Sequence, residues 1–137
     1  RIMSHISKID TKIKNLIFLK KALDALEMKY QEAAEGEILV LQGYEKDEVI
    51  EDCVFEIKTG SKYSIGIKEI GGNYELVADW WAIETFTGLK QDEIINKIHR
   101  QYAYETIKDK VKDLGYSIVE ENEDTKNNIH LTVRRWS

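Results

Sequence analysis

Hydrophobic and polar positions follow two rhythms along this chain, and the changes of rhythm divide it into elements. Ile9, Thr11 and Ile13 recur at every second position, so Ser4 to Ile13 is predicted to be a strand. Leu16, Leu19, Leu23 and Leu26 then follow at helical spacing, flanked by Lys20, Lys21, Asp24 and Glu27. That is an amphipathic helix with one apolar stripe, and Asn15 is placed to cap it. Tyr30 to Ala34 reads as a short edge strand, and Glu35-Gly36 turns the chain into the apolar run Ile38 to Leu41. Gly43 to Asp52 is acidic and is expected to be a solvent-facing connection. It lacks the spacing and turn glycine of a calcium loop. A meander comes next. Cys53 to Lys58 pairs with Tyr63 to Glu69, which pairs with Tyr74 to Trp80 through the hairpin dipeptide Gly71-Gly72. Alternation places Phe55 and Ile57, Ile65 and Ile67, and Leu76 and Ala78 on single faces of their strands.

Lys90 to Leu114 is helical by composition, with no proline or glycine inside it. Its apolar positions form two arcs on opposite sides: Ile94, Ile95, Ile98 and Tyr102, then Ala103, Ile107, Val111 and Leu114. Either the helix breaks near His99 to Gln101, or its middle is enclosed on two sides. Gly115 ends it. Tyr116 to Glu121 and Asn128 to Trp136 form a last hairpin with Ile129, Leu131 and Val133 inward, joined by the polar connection Asn122 to Asn127. The order of strand, helix, several strands, helix and two strands predicts an α+β fold. It has a single antiparallel sheet with the helices packed on one face. Leu19, Leu23, Leu26, Phe55, Ile57, Leu76, Leu131 and Val133 are the expected core. The opposite face then needs a cover or a partner.

Composition narrows the class. The 137 residues suit one α+β domain over 1–137, with Met3 read as the natural start after Arg1-Ile2. A charged share of 33% beside a hydrophobic share of 42% describes a globular chain rather than a disordered one. No apolar run approaches the ~18 residues of a membrane helix, and Leu16 to Leu19 is broken by Lys20-Lys21, so no signal peptide is expected. The lone Cys53 forms no intrachain disulfide, which suits a reducing cytoplasm. With 20 basic and 25 acidic residues, net charge −5, a nucleic-acid partner is disfavoured. Arg134-Arg135-Trp136 is the one basic-aromatic cluster, and alternation splits it between two faces.

Familiar catalytic signatures are missing: no nucleophile elbow, no His-Glu-x-x-His, no phosphate-binding loop and no Gly-x-Gly-x-x-Gly. His5, His99 and His130 fall in different elements without ligand spacing, so neither a metal nor a cofactor is expected. The candidate binding group is Asp79, Trp80, Arg100, Tyr102, Tyr104, Arg134 and Trp136. Glu75 and Asp79, expected about 7 Å apart on one strand face, could act as a general acid and base. Pairing with Arg100 or Arg134 to fasten a helix to the sheet is favoured over that chemistry.

Six blocks in this order suggest a family: Met3-Ser-His-Ile-Ser-Lys-Ile9, Leu19-Lys-Lys-Ala-Leu23, Tyr63-Ser-Ile-Gly66, Tyr74-Glu-Leu-Val-Ala-Asp79, Arg100-Gln-Tyr-Ala-Tyr104 and Val133-Arg-Arg-Trp-Ser137. Together they resemble the family of hypothetical chloroplast reading frame thirty-five, found in algal plastids, cyanobacteria and other bacteria, which has no assigned function. The segments Glu45 to Asp52 and Ala82 to Lys90 depart from it. The resemblance carries over no catalytic residue, and it implies an accessory protein, an AAA+ type ATPase being the partner class it suggests. Two functions fit the chain. One is a non-enzymatic accessory or regulatory module in the cytoplasm that docks on a protein partner, with homo-oligomerisation left open. The other is a small-ligand-binding protein, or an enzyme of unfamiliar type, using the Tyr/Trp/Asp/Arg group as its pocket.

Overall fold

The structure, a computed structural model, describes residues 5–123 and 128–135. The chain runs β1 (Ile6–Asp10), α1 (Leu16–Ala25), β2 (Tyr30–Glu32), β3 (Leu39–Gln42), β4 (Val49–Cys53), β5 (Phe55–Ile57) and β6 (Ile65–Ile70). It continues through β7 (Asn73–Asp79), α2 (Trp80–Thr87), α3 (Gln91–Asp113), β8 (Tyr116–Glu123) and β9 (Ile129–Arg135). The α+β class and the antiparallel pairing follow the hydrophobic pattern. The main sheet has five strands in the order β1-β7-β6-β5-β2, every neighbouring pair antiparallel. Gly71 and Gly72, at φ 58° and 82°, join Ile70 to its partner Asn73. Two successive positive φ values match the strand twist in so short a turn.

Register then decides the two faces of the sheet. Phe55 pairs with Ile67, Ile67 with Leu76, and Leu76 with Ile9, which makes one apolar row across four strands. All three helices pack on that face, through Leu19 and Leu23 of α1, Ala82 and Ile83 of α2, and Ile94, Ile95 and Ile98 of α3. Each large side chain buried there stabilises the fold by about 1.5–3 kcal/mol relative to its exposed state. Asn15 caps α1 as its position predicts, its Oδ1 accepting from the Ile17 amide at 2.7 Å and the Phe18 amide at 3.4 Å.

The opposite face is covered from within. The β3–β4 hairpin lays Leu41, Ile50 and Cys53 against Val77 of β7. Leu39 pairs with Cys53 but Leu41 with Ile50, so Glu51 and Asp52 together oppose Val40 in a β-bulge, with Asp52 at φ 59°. A bulge adds one residue to one strand, and here that extra residue lets both Ile50 and Cys53 face inward. Gly66 of β6 lies beneath them. A Cβ there would stand 2.6 Å from Cys53 Sγ and 3.0 Å from Leu41 Cδ1, so the close approach of hairpin to sheet requires glycine.

Several expectations need correction. Gly43 to Asp52 is not one solvated loop: only its tip is, and Val49 to Asp52 belong to β4 with Ile50 buried. The helix α2 replaces an expected end of the meander. β8 and β9 do not extend the main sheet but pair with each other as a separate two-stranded sheet beside α3. Leu131 is therefore half-buried and Val133 is 40% exposed, neither in the main core. Asn122 and Glu123 belong to β8, and the rest of the expected connection, 124–127, lies outside the described residues. The α3 helix is unbroken over 23 residues, about 34 Å at 1.5 Å per residue. Its middle is enclosed on two sides, with Tyr102 and Tyr104 both buried. Beyond that point the second apolar arc faces outward, with Ile107 and Leu114 exposed at 50% and 64%. Among the described residues no helix is long and apolar enough to cross a membrane.

Candidate functional site

Asp79 ends β7 and begins α2, and its buried carboxylate fastens two segments at once. Oδ1 accepts from the Ala82 amide at 3.0 Å, capping α2, as a short acid just before a first helical turn is suited to do. Oδ2 accepts from the Tyr44 amide at 2.8 Å. Tyr44 belongs to the turn between β3 and β4, which is closed by Gly43 N to Glu48 O at 2.9 Å and Glu48 N to Glu45 O at 3.0 Å. One side chain thus holds the hairpin tip against the start of α2.

That clamp assembles an aromatic platform. The Tyr44 ring meets Trp81 edge-on at 4.6 Å between centroids, and Trp81 stacks on His5 at 4.8 Å. Phe86 lies 6.1 Å from Tyr44 and 5.4 Å from Tyr63, which forms the buried base of the group. Tyr44, Trp81 and Phe86 nevertheless remain exposed at 42%, 42% and 55%. With 150–250 Å² per aromatic side chain, these fractions leave roughly 300 Å² of contiguous aromatic surface. Patches of about 300–600 Å² on monomers are often functional. Glu45 and Asp47 follow Tyr44 in the hairpin turn, with Lys46 between them, while Lys62 Nζ lies over the Tyr63 ring at 5.6 Å. The chemistry on offer is ring stacking and apolar contact beside negative charge. Asp79 has both oxygens engaged by backbone amides, so it positions the Tyr44 backbone and the start of α2 beneath the rings.

The group read from sequence is divided among three places. Asp79 and Trp80 are adjacent to the platform, but Trp80 turns into the helix-side core with its Nε1 buried and unpartnered among the described residues. The Tyr102 hydroxyl accepts from the Lys14 and Asn15 amides at 2.9 and 3.0 Å, anchoring the start of α1. Lys14 Nζ in turn reaches Asn73 Oδ1 at 2.9 Å, at the other end of β7 from Asp79, about 20 Å away along the strand. Arg100 pairs with Glu123 at 3.7 Å, beside a cleft of about 240 Å³ where α3 meets β8. Tyr104 lines that cleft. Its hydroxyl is buried beside the Glu121 carboxylate without forming a well-aligned hydrogen bond among the described residues, and burial, then Glu121, pushes the phenol pKa well up. Arg134 is exposed on β9, where its carbonyl accepts from Ser117 Oγ at 3.3 Å, and Trp136 lies outside the described residues.

The expected pairing of Asp79 with Arg100 or Arg134 is not formed, because backbone amides satisfy the buried carboxylate instead. Glu75 and Asp79 are four positions apart on the strand, about 13 Å rather than 7. Glu75 sits opposite Lys68 and Asp10. His99 bonds Thr11 Oγ1 at 2.6 Å, and its pKa is lowered by burial and then by Lys12. Among the described residues, no group of three or more His, Cys, Asp or Glu is placed to hold a metal ion. Trp81 and Phe86 escaped the sequence pattern because α2 did, and Tyr44 because its hairpin turn reads as an acidic connection; the signal available for α2 was Asp79 as a helix cap with Thr87-Gly88 as its stop.

A family model described as "Protein of unknown function (DUF1257)" matches residues 22–132. The protein called "Uncharacterized protein ycf35" in Cyanophora paradoxa is 31% identical, and its namesake in Guillardia theta 33% identical. Each alignment covers 98% of this chain and 98% of the relative. A third, from Trieres chinensis, is 29% identical over 96% of this chain. No solved structure matches the chain. With the family model spanning most of the chain and the ycf35 relatives nearly all of it, the chain belongs to the DUF1257 family.

Proposed function

We propose that this protein is a non-enzymatic accessory module that docks on a protein partner through the Tyr44–Trp81–Phe86 platform. The observation that carries the proposal is three aromatic side chains left about half exposed, Tyr44 in ring contact with both Trp81 and Phe86, on a scaffold that holds Tyr44 against the start of α2 through Asp79. Aromatic residues dominate the energetics of protein interfaces because they bury much area at low conformational-entropy cost. The acidic turn selects among partners. Glu45 and Asp47 would repel a phosphate backbone and attract a protein surface that presents apolar and basic side chains. An AAA+ type ATPase is the first partner class to try, and the lone buried Cys53 suits a reducing compartment such as the cytoplasm.

Affinity purification of the tagged protein from its native host, run beside Trp81→Ala/Phe86→Ala, tests this. A protein retained by the wild type and lost by the variant is expected, since truncating a central aromatic anchor commonly costs about 2 kcal/mol or more of binding. Binding of that protein should weaken in Glu45→Gln/Asp47→Asn and in added salt. Retention of the same proteins by both forms, or recovery of nucleic acid alone, would refute the proposal. Recovery of only a second copy of this chain would assign the platform to self-association instead.

A further inference from the structure

A second feature stands independently of partner docking: a groove of about 690 Å³ built from three separate segments. Glu27, Met28 and Lys29 come from the end of α1 and the approach to β2, and Lys58 to Ser61 from the β5–β6 connection. Leu89 and Lys90 come from the connection that precedes α3, and Glu93, Ile94 and Lys97 from its first two turns. Positions 93, 94 and 97 share one helix face, which borders the groove, and Lys90 is the N-cap residue beside them. The apolar wall is Met28, Leu89 and Ile94, and the rim carries the ammonium groups of Lys29, Lys58, Lys90 and Lys97 against two carboxylates, Glu27 and Glu93. The chain as a whole has 25 acids and 20 bases, so a surplus of cations here runs against its overall balance. Among the described residues, none of these six groups makes an ion pair.

The walls are also preformed. Lys58 N donates to Lys29 O at 2.9 Å, which ties two of the three segments together. Thr59 and Ser61 hydroxyls both donate to the Tyr63 carbonyl, at 2.5 and 3.1 Å, and the Tyr63 amide donates back to Ser61 Oγ at 3.1 Å. Gly60, at φ +91°, has nothing within 4 Å of where a Cβ would stand, so the loop crest stays open to the groove. A rigid cleft with an apolar wall concentrates the field of like charges at its mouth, and ordering costs little on binding. The volume falls in the range of about 300–1,000 Å³ typical of small-molecule sites.

We propose that this groove binds a small phosphorylated organic molecule, its phosphates held by Lys29, Lys58, Lys90 and Lys97 and its apolar body laid on Met28 and Ile94. Lysine acts on phosphate as a mobile point charge, which suits a rim of several ammonium groups without fixed bidentate geometry.

Isothermal titration of the full chain at low salt with ADP, pyrophosphate and adenosine separates the two contributions. ADP should saturate, with pyrophosphate weaker because it lacks the body and adenosine weaker because it lacks the charge. Lys58→Gln/Lys97→Gln should weaken ADP by about tenfold or more, while Lys112→Gln, near the far end of α3, should bind as the wild type. Both variants replace exposed side chains that have no partners among the described residues, and an unchanged melting temperature confirms that each is folded. No saturation by any probe at millimolar concentration would overturn the proposal, as would unchanged binding in the double variant or an equal loss in Lys112→Gln. Pyrophosphate binding as tightly as ADP would overturn the organic body, leaving a site for inorganic anions alone.

Discussion

Gly66→Ala tests whether the β3–β4 hairpin is held on the sheet by close approach. The added methyl would stand 2.6 Å from Cys53 Sγ and 3.0 Å from Leu41 Cδ1, against about 3.5–4.0 Å for an unstrained contact. The two neighbours differ in their ability to yield. Leu41 Cδ1 is the end of a flexible side chain, whereas Cys53 is fully buried and too short to swing away. Overpacking of this kind costs about 1–3 kcal/mol, and the Cys53 contact should place Gly66→Ala near the upper end. Cys53→Ala alone should cost about 1 kcal/mol as a small cavity. In the double variant the worse overlap is gone, so the pair should be more stable than the sum of single effects by about 1–2 kcal/mol. Urea unfolding followed by tryptophan fluorescence reads this as a shift of midpoint at constant slope. A Gly66→Ala protein within about 0.5 kcal/mol of wild type, or strictly additive single effects, would refute the close-approach account. Because the same hairpin carries Tyr44 to Asp79, Gly66→Ala should also weaken any binding at the aromatic platform, and Cys53→Ala should restore part of it.

Tyr102→Phe should lower stability by about 1–3 kcal/mol by stripping an acceptor from the Lys14 and Asn15 amides. Tyr104→Phe should cost less, because its hydroxyl lies beside the Glu121 carboxylate without a well-aligned hydrogen bond among the described residues; similar losses in both would contradict this contrast. Glu27 occupies a left-handed position at φ 58° in the turn that ends α1, where Met28 N donates to Leu23 O at 2.9 Å. Glu27→Gly should therefore raise the unfolding midpoint, by up to about 1 kcal/mol in stability, and a lowered midpoint would count against strain there. His99 has its folded pKa lowered from 6.5 by burial and by Lys12, so the unfolded chain takes up the proton first as pH falls. Its contribution to stability is complete above pH 6.5 and is lost as pH falls from there toward the lowered folded value. His99→Gln should flatten that part of the profile relative to wild type, and an identical profile would exclude His99 as its source.

The elements whose signal is local were legible in the chain itself. The Leu16-Leu19-Leu23-Leu26 stripe and the Asn15 cap define α1, and Gly71-Gly72 with alternating Ile65, Ile67, Leu76 and Ala78 defines the central hairpin. Each depends on periodicity or turn chemistry within a few residues. Elsewhere the local signal was misleading. The bulge at Glu51-Asp52 breaks the alternation of β4, so its inward residues Ile50 and Cys53 do not share parity. The eight residues of α2 include Trp, Ile, Thr and Phe, which favour strands by intrinsic propensity, and only Asp79 capping and packing on the sheet make them helical. The two arcs of α3 were visible, but not that the second would face outward, because a hydrophobic arc specifies a surface and not what covers it. Both candidate sites belong to this last kind. Tyr44 and Trp81 are far apart in sequence and meet through a single buried carboxylate, and four lysines from three segments converge on one groove. Periodicity states which side of an element is apolar. Which apolar side chains remain in solvent, and which charges become neighbours, is decided only when distant segments pack.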